Sequence, residues 1–190
     1  ETDEPEVILK EIESELGYKM KLEAHYSWIV FPPSRSSSGV PSRYFGLLRD
    51  GSIKAKGLLR SDMPPIVREF VEGAMKLLKG SRDAQELSSS LIRVRKLMEE
   101  VKSELLRGSV PHEKLVIERR LSKGCGRKLA HRRAASILRI SGGEVRFLLA
   151  KDPYPVEMGA SCYDRGKYLA ELVRAAEPFE FMFRELMSHR

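Results

Sequence analysis

The chain has 190 residues, of which 42% are hydrophobic and 32% charged, and its formal net charge is +7. This length suffices for one ordinary domain or two small ones, and the composition is globular rather than disordered. No apolar run is long enough to cross a bilayer, the acidic N-terminus does not resemble a signal peptide, and the excess of positive charge favours polyanionic partners.

The first third of the chain predicts a helix on a small antiparallel sheet. Residues 6–15 carry apolar residues at helical spacing, and Gly17 is placed to end that helix. Residues 19–24 alternate polar and apolar side chains, as a half-buried strand does. The Asp50-Gly51 pair is typical of a hairpin turn. Further strand patterns lie at 28–31, 44–48 and 52–56.

The rest of the chain predicts mostly helix. Pro64 and Pro65 fit a first helical turn, and the helical spacing that follows them continues to Gly80. Pro178 is expected to interrupt or divide the last helix. The other predicted elements are helices at 83–106, 128–138 and 168–187 and a strand at 144–149. The predicted fold class is therefore α+β.

Side chains that carry enzyme or metal chemistry are sparse. Cys125 and Cys162 are isolated, which is typical of a reducing compartment, and the four histidines lack the spacing of metal ligands. Residues 124–128 do not have the frame of a phosphate-binding P-loop. The sequence therefore predicts no metal site and no catalytic residues in this chain, and it makes an independent enzyme the weakest of the possible functions.

Positive charge is concentrated between residues 119 and 139, where no acidic residue occurs. Residues 82–107, by contrast, interleave both signs of charge, as a solvated helix face does. An uncompensated basic block indicates a surface that faces phosphates. Its members are Arg119, Arg120, Lys123, Arg127, Lys128, Arg132, Arg133 and Arg139.

The order of several short motifs resembles that of archaeal-type family B DNA polymerases, in the region that follows their catalytic Y-x-D-T-D-S motif. In that family a K-K-x-Y strand, a D-G hairpin and a glycine precede an R-R-D-W segment, after which the helical thumb begins. The corresponding segments here are Ser42-Arg43-Tyr44-Phe45-Gly46-Leu47, Asp50-Gly51, Lys56-Gly57 and Arg60-Ser61-Asp62-Met63-Pro64-Pro65.

The resemblance continues through the second half of the chain. Its segments there are Pro111-His112-Glu113-Lys114-Leu115, Leu121-Ser122-Lys123, Ala130-His131, Gly143-Glu144-Val145, Pro155-Val156-Glu157-Met158 and Tyr163-Asp164 with Tyr168. It implies that residues 1–60 are the C-terminal part of a palm, with a small antiparallel palm-edge sheet and a helix. Residues 61–190 would then be a mostly helical thumb domain.

The chain departs from the family pattern at positions that matter for chemistry. The family's catalytic aspartates would precede its first residue, so we expect the chain alone not to polymerise. Pro41 and Ser42 stand where the family has two lysines, and Met63 stands where it has tryptophan. The palm contacts to phosphate are weakened accordingly.

The resemblance implies a small subunit or C-terminal part of a replicative polymerase, which completes the palm of a large catalytic subunit and grips primer–template duplex. That subunit, double-stranded DNA and, through the subunit, a sliding clamp are the implied partners, and no membrane is involved. Mg²⁺ would act in the assembled polymerase, with no cofactor in this chain. The implied localisation is cytoplasmic and nucleoid-associated. The alternative is a noncatalytic polymerase-derived nucleic-acid-binding or scaffold module.

Contacts of such a thumb with DNA run through backbone phosphates rather than base edges. Arg60 is expected to touch template phosphate, and Asp62 is expected to cap the helix that follows it. Two or three members of the basic block are expected to make contacts. The predicted DNA-binding residues are Arg43, Tyr44, Arg60, Lys123, Arg127, Lys128, His131, Arg132 and Arg133.

Overall fold

The computed structural model describes residues 5–33, 43–121, 129–159 and 162–188. The helices in these ranges are α1 (Pro5–Leu16), α2 (Pro65–Leu78), α3 (Ala84–Arg107), α4 (Ala130–Ile137) and α5 (Arg165–Ser188), with short 3₁₀ turns at His112–Lys114 and Val156–Met158. The strands are β1 (Tyr26–Val30), β2 (Tyr44–Leu48), β3 (Ile53–Lys56), β4 (Ile117–Arg120), β5 (Glu144–Leu148) and β6 (Tyr154–Pro155). The predicted α+β class is confirmed.

The first sheet is antiparallel, with the order β1-β2-β3. Its β2–β3 hairpin turns at Gly51, whose φ of +82° lies in the left-handed region that favours glycine. The Asp50 carboxylate accepts a hydrogen bond from the Ser52 amide at 2.8 Å and so fixes the turn. The predicted hairpin is therefore formed by the predicted residues.

The main hydrophobic core joins this sheet to the helices. Phe45 of β2 is fully buried, and its ring centroid lies 5.4 Å from that of Phe179 of α5. Phe70 of α2 packs edge-on against the same Phe179 ring at 6.1 Å. The Trp28 indole of β1 donates a hydrogen bond to the Ser81 carbonyl at 2.8 Å, beyond the end of α2. The first sheet and the helices therefore share one core.

Helix α3 has the end signals that its sequence predicts. The Asp83 carboxylate accepts from the Glu86 amide at 2.8 Å, and Gly108 ends the helix at a φ of +78°. Its Arg95 donates to the Glu180 carboxylate of α5 at 2.9 Å and lies over the Phe183 ring. These contacts hold α3 against α5.

The second sheet, with the order β4-β5-β6, has a smaller core of its own. Ala134 and Ala135 of α4 cover its inner face, where Ile117 and Phe147 lie opposite each other on β4 and β5. The partly buried Leu149 packs against both this small core and the main one. The second half of the chain is thus less purely helical than predicted.

Three predictions about the elements are wrong. Residues 19–24 form no strand and are exposed or half-buried, because no neighbouring strand pairs with them in the described part of the chain. No residue of α1 is buried, so this helix does not contribute to the core of the sheet. Helix α5 continues through Pro178, because the buried Ala175 and Phe179 anchor both sides of the proline in the same core.

Candidate nucleic-acid interface

The structure describes six of the nine predicted DNA-binding residues. Lys123, Arg127 and Lys128 lie outside the described residues. Of the other six, His131, Arg132 and Arg133 lie in the first turn and a half of α4, whereas Arg43, Tyr44 and Arg60 lie near the first sheet and before α2.

Strand β4 brings a further arginine to the start of α4. Arg119 lies opposite Val145 of β5, so its side chain leaves the sheet on the same face as that buried valine. It alternates along the chain with the buried Ile117 and Leu121, and this face is the one that α4 covers. A cationic side chain therefore occupies a position in a row of core residues.

Arg119 and Arg132 have few partners for their guanidinium groups. Arg119 donates one hydrogen bond to the Ser61 hydroxyl, and its Nε is buried without a partner. Nε and Nη2 of Arg132 are likewise buried without partners. None of the ion pairs between described residues includes either arginine. Neither positive charge is therefore neutralised by an ion pair with another described residue.

His131 is a buried residue at the start of α4, next to Arg132, and α4 covers the face of β4 that carries Arg119. Its side chain is 8% exposed, and burial lowers its pKa below the ordinary value, with further lowering by the positive charges of Arg119 and Arg132. Asp62 opposes this and raises the pKa. The neutral imidazole is therefore favoured, and Arg119, His131 and Arg132 are called the cluster around His131 below.

Arg133 points away from this cluster. Its guanidinium is 3.4 Å from the Asp152 carboxylate, and the side chain is about half exposed. An exposed pair of this kind contributes little to stability and is easily exchanged for another anion. Arg133 is thus accessible from solvent but is not part of the cluster around His131.

Arg60 is tied to α5 rather than left open. It forms a hydrogen-bonded ion pair with Glu171, and its Nε lies 3.8 Å from the Asp62 carboxylate. Its backbone carbonyl accepts a hydrogen bond from Arg68 of α2 at 3.1 Å. The arginine therefore links the segment before α2 to α5, and a phosphate would compete with Glu171 for it.

The predicted capping role of Asp62 is wrong. The N-cap of α2 is Pro64, and no side chain accepts a hydrogen bond from the first turn. Pro65 at the first helical position has no amide to satisfy, and the Val67 amide donates to the Pro64 carbonyl at 3.0 Å, so the helix begins without Asp62. Its carboxylate instead faces Arg60 and acts electrostatically on His131.

Arg43 and Tyr44 lie at the start of β2, apart from the cluster. The Tyr44 ring packs between Tyr26 and Phe31, at centroid distances of 6.2 and 5.8 Å. Arg43 borders a groove with Pro178 of α5, and its Nε is buried without a partner. These two residues form a second, separate place where DNA contact is predicted.

The sequence distinguishes Arg119 from the rest of the basic block by its position on a strand, which the clustering of charge does not show. Ile117, Arg119 and Leu121 alternate on a strand, so the arginine stands where an apolar residue is expected. Counting charge alone does not separate it from Arg120, which lies on the exposed face of the same strand. Strand periodicity distinguishes the two.

Metal ligands are not grouped in the part of the chain that the structure describes. No set of three or more His, Cys, Asp or Glu side chains there could hold a metal ion. Among the helices in the described ranges, none is both long and apolar enough to span a membrane.

Comparison with known proteins links this arrangement to DNA polymerases. DNA polymerase 2 of Saccharolobus solfataricus is 27% identical over 106 residues, which cover 56% of this chain and 16% of that protein. The structure of the family B DNA polymerase from Pyrobaculum calidifontis matches with a TM-score of 0.63 and 22% identity, covering 94% of this chain and 24% of that one. No family model matches the chain. The chain therefore spans well under a third of these proteins. The resemblance predicted from its motifs is confirmed: the chain is similar in sequence to a part of an archaeal DNA polymerase and has the fold of a part of an archaeal family B DNA polymerase.

Proposed function

We propose that this chain is the small subunit, or the C-terminal part, of a family B replicative DNA polymerase. In this role it grips primer–template duplex through phosphate contacts of its thumb and completes the palm of a large catalytic subunit. The observation that carries the proposal is the match of 94% of the chain to only 24% of a family B polymerase chain. The remaining parts of a working enzyme would come from a second polypeptide or segment.

Charge supports the proposed grip on DNA. The basic block from 119 to 139 has no acidic residue, and Arg119 and Arg132, one in each of its two described stretches, have no ion pair with another described residue. Contacts of this kind neutralise phosphates and release counterions, so they hold duplex without reading its sequence. Binding should therefore weaken steeply as salt rises.

The first sheet offers a surface for the proposed catalytic partner. Strand β1 is an edge strand, since β2 is its neighbour in the three-stranded order. Beside it a groove is lined by Ile29 and Phe31 and by Phe181 and Leu186 of α5, and the first two are 37% and 46% exposed. An edge strand with apolar neighbours can accept a further strand from a partner palm.

Mg²⁺ belongs to the proposed assembly rather than to the described part of this chain. Two-metal phosphoryl transfer requires carboxylates that bridge both ions. The described residues provide no group of three acidic or other ligating side chains that fits this requirement. We therefore assign the metal-binding carboxylates to the catalytic partner.

Primer extension tests the proposal directly. The assay compares this chain, the large polymerase polypeptide from the same cell, and their mixture, each with labelled primer–template and Mg²⁺. The mixture should give long products, whereas this chain alone should give none and the large polypeptide alone only short ones. Extension by the mixture no better than by the large polypeptide would contradict the proposal and favour the noncatalytic binding or scaffold module.

A charge-matched pair of variants tests the role of the basic block in the same assay. One variant replaces Lys123, Arg127, Lys128 and Arg132 by Gln and should shorten the products of the mixture. The control removes the same charge from exposed positions on α2 and α3 or directly after α2, namely Lys76, Lys79, Lys96 and Arg107. Equal shortening by both variants would show that net charge, rather than this surface, holds the duplex.

A further inference from the structure

We infer that Arg119 of β4 and Arg132 of α4, together with His131, form a site for one phosphate group. This inference rests on the proposed function, in which the phosphate is a single phosphodiester of the DNA backbone. It adds Arg119 to the predicted contacts and distinguishes this cluster from the more open charges of the basic block.

Arg119 lies on the inner face of β4. Its neighbours on the inner face of β4 are Ile117 and Leu121, which are 3% and 8% exposed. The Nε of Arg119 is buried beside these residues, and burying part of a guanidinium costs free energy unless its nitrogens are paired. Here its described partner is the neutral Ser61 hydroxyl. Packing alone would place an apolar side chain at this position.

Three guanidinium nitrogens of the two arginines have no hydrogen-bond partner. Nε of Arg119 and both Nε and Nη2 of Arg132 are buried and make no hydrogen bond. Buried polar groups are almost always hydrogen-bonded, and an exception requires an explanation such as a missing ion. Among the other described arginines, Arg43 also has a buried Nε without a partner, whereas Arg93, Arg95 and Arg165 each donate to an acceptor within the protein.

A phosphate matches this set of donors. Guanidinium groups bind phosphate oxygens through two parallel N–H bonds, and the anion also neutralises both charges. Arg119 and Arg132 come from β4 and α4, so a phosphate between them is approached from two sides. Both residues are half-buried as a whole, so each retains an exposed side from which an anion can enter.

A carboxylate of the chain is the competing explanation, and Asp62 is the candidate. Its side chain is 54% exposed and lies 3.8 Å from Arg60, with which it forms an ion pair. It makes no ion pair with Arg119 or Arg132. Asp62 therefore lies at the edge of the cluster and leaves the buried nitrogens unsatisfied.

The test combines protein variants with duplexes that carry one neutral methylphosphonate. Affinity of the full chain for fluorescent primer–template is measured by anisotropy, with the neutral linkage moved along each strand in turn. At one linkage the wild-type chain should lose about tenfold in affinity, as expected for one charge-assisted contact. The Arg119→Gln variant should bind this modified duplex as tightly as it binds the unmodified one, because the side chain that contacts the linkage is already missing.

Arg120→Gln is the matched control, since it removes the same charge from the exposed face of the same strand. It should keep the tenfold effect at the sensitive linkage. The site is overturned if the wild-type chain binds duplex while Arg119→Gln and Arg120→Gln lose affinity at the same linkages and to the same extent. That result would leave the proposed function standing.

Inorganic phosphate provides a readout that does not depend on DNA. Phosphate should raise the unfolding temperature of the wild-type chain and of Arg120→Gln, but not that of Arg119→Gln or of the charge-preserving Arg119→Lys. Stabilisation through Arg119 without any duplex binding would support the site and count against the proposed function. Equal stabilisation of all four proteins would overturn the site.

The unliganded variants report on folding and on the cost of the cluster. Arg132→Met should raise the unfolding temperature without phosphate by roughly 2–4 °C, since it removes buried nitrogens that have no partner. A fall in this temperature would show that Arg132 is stabilising as it stands, which would contradict the inference.

Discussion

At the scale of single residues, the hydroxyl of Tyr168 joins segments that are distant in the sequence. This fully buried side chain donates to the Leu115 carbonyl at 2.7 Å and accepts from the Leu149 amide at 3.1 Å. Burial raises the pKa of its phenol far above the ordinary value, so the group stays a neutral donor. One hydroxyl therefore satisfies two backbone groups, one in the segment before β4 and one directly after β5.

Tyr168→Phe should lower the free energy of unfolding by about 1–3 kcal/mol, since it leaves both backbone groups without this partner. Urea unfolding monitored by circular dichroism measures the change. Tyr18→Phe removes a hydroxyl from a residue that is 73% exposed and should have no measurable effect. A Tyr168→Phe protein as stable as the wild type would show that water replaces the hydroxyl at both groups.

At the scale of elements, the close approach of β1 and β2 depends on Gly46. A Cβ atom on this residue would lie 2.5 Å from the Trp28 carbonyl oxygen and 2.8 Å from a ring carbon of Tyr26. The register between the two strands also shifts between Tyr26 and Trp28. The irregularity of β1 thus brings its backbone close to β2 at Gly46, where there is room only for a residue without a side chain.

Gly46→Ala should destabilise the protein by about 1–3 kcal/mol, because the clash is with backbone and cannot be relieved by rotating a side chain. Thermal unfolding measures the effect. Gly142→Ala is the control, since a Cβ there meets nothing within 4 Å. Similar losses for both variants would point to a general effect of replacing glycine rather than to strand packing.

Elements with local signals could be predicted from the sequence, and elements defined by distant partners could not. The α2 and α3 helices were predicted because prolines, Asp83 and Gly108 mark their ends. Strand β6 has two residues, too few to show a period, and exists through its pairing with Phe147 and Leu148 of β5. The alternation of residues 19–24 predicted a strand, but a strand also requires a partner.

The site shows the same limit. Lys and Arg residues between 119 and 139 were found by counting charge, but that count could not show which of them pair. Arg133 pairs with Asp152 and Arg60 pairs with Glu171. In each pair the two residues are distant in the sequence and lie on different elements or segments. The cluster of Arg119 with His131 depends on how α4 lies on the second sheet.

At the scale of the whole molecule, the predicted division at residue 60 crosses the main core. Phe45 lies before this boundary and packs on Phe179 beyond it. The Trp28 indole also donates across the boundary to Ser81. Two parts that share buried side chains in this way unfold together when neither has a sufficient core of its own.

Urea unfolding followed by two probes should therefore give coincident transitions. Fluorescence of Trp28, the single tryptophan, reports on the first sheet, and far-ultraviolet circular dichroism reports mainly on the helices. Phe45→Ala should shift both curves together, with a loss of about 3–5 kcal/mol. A fluorescence transition at lower urea than the dichroism transition would instead support independent units at 1–60 and 61–190.

The two faces of β5 belong to different cores. Phe147 packs in the small core beneath α4, whereas the neighbouring and fully buried Leu148 belongs to the main core. Tyr168 of α5 also bonds to the backbone on either side of this sheet region, at Leu115 and Leu149. Tilting the second sheet against the helices would expose Leu148, so we expect α4 and its arginines to keep a fixed position relative to the first sheet.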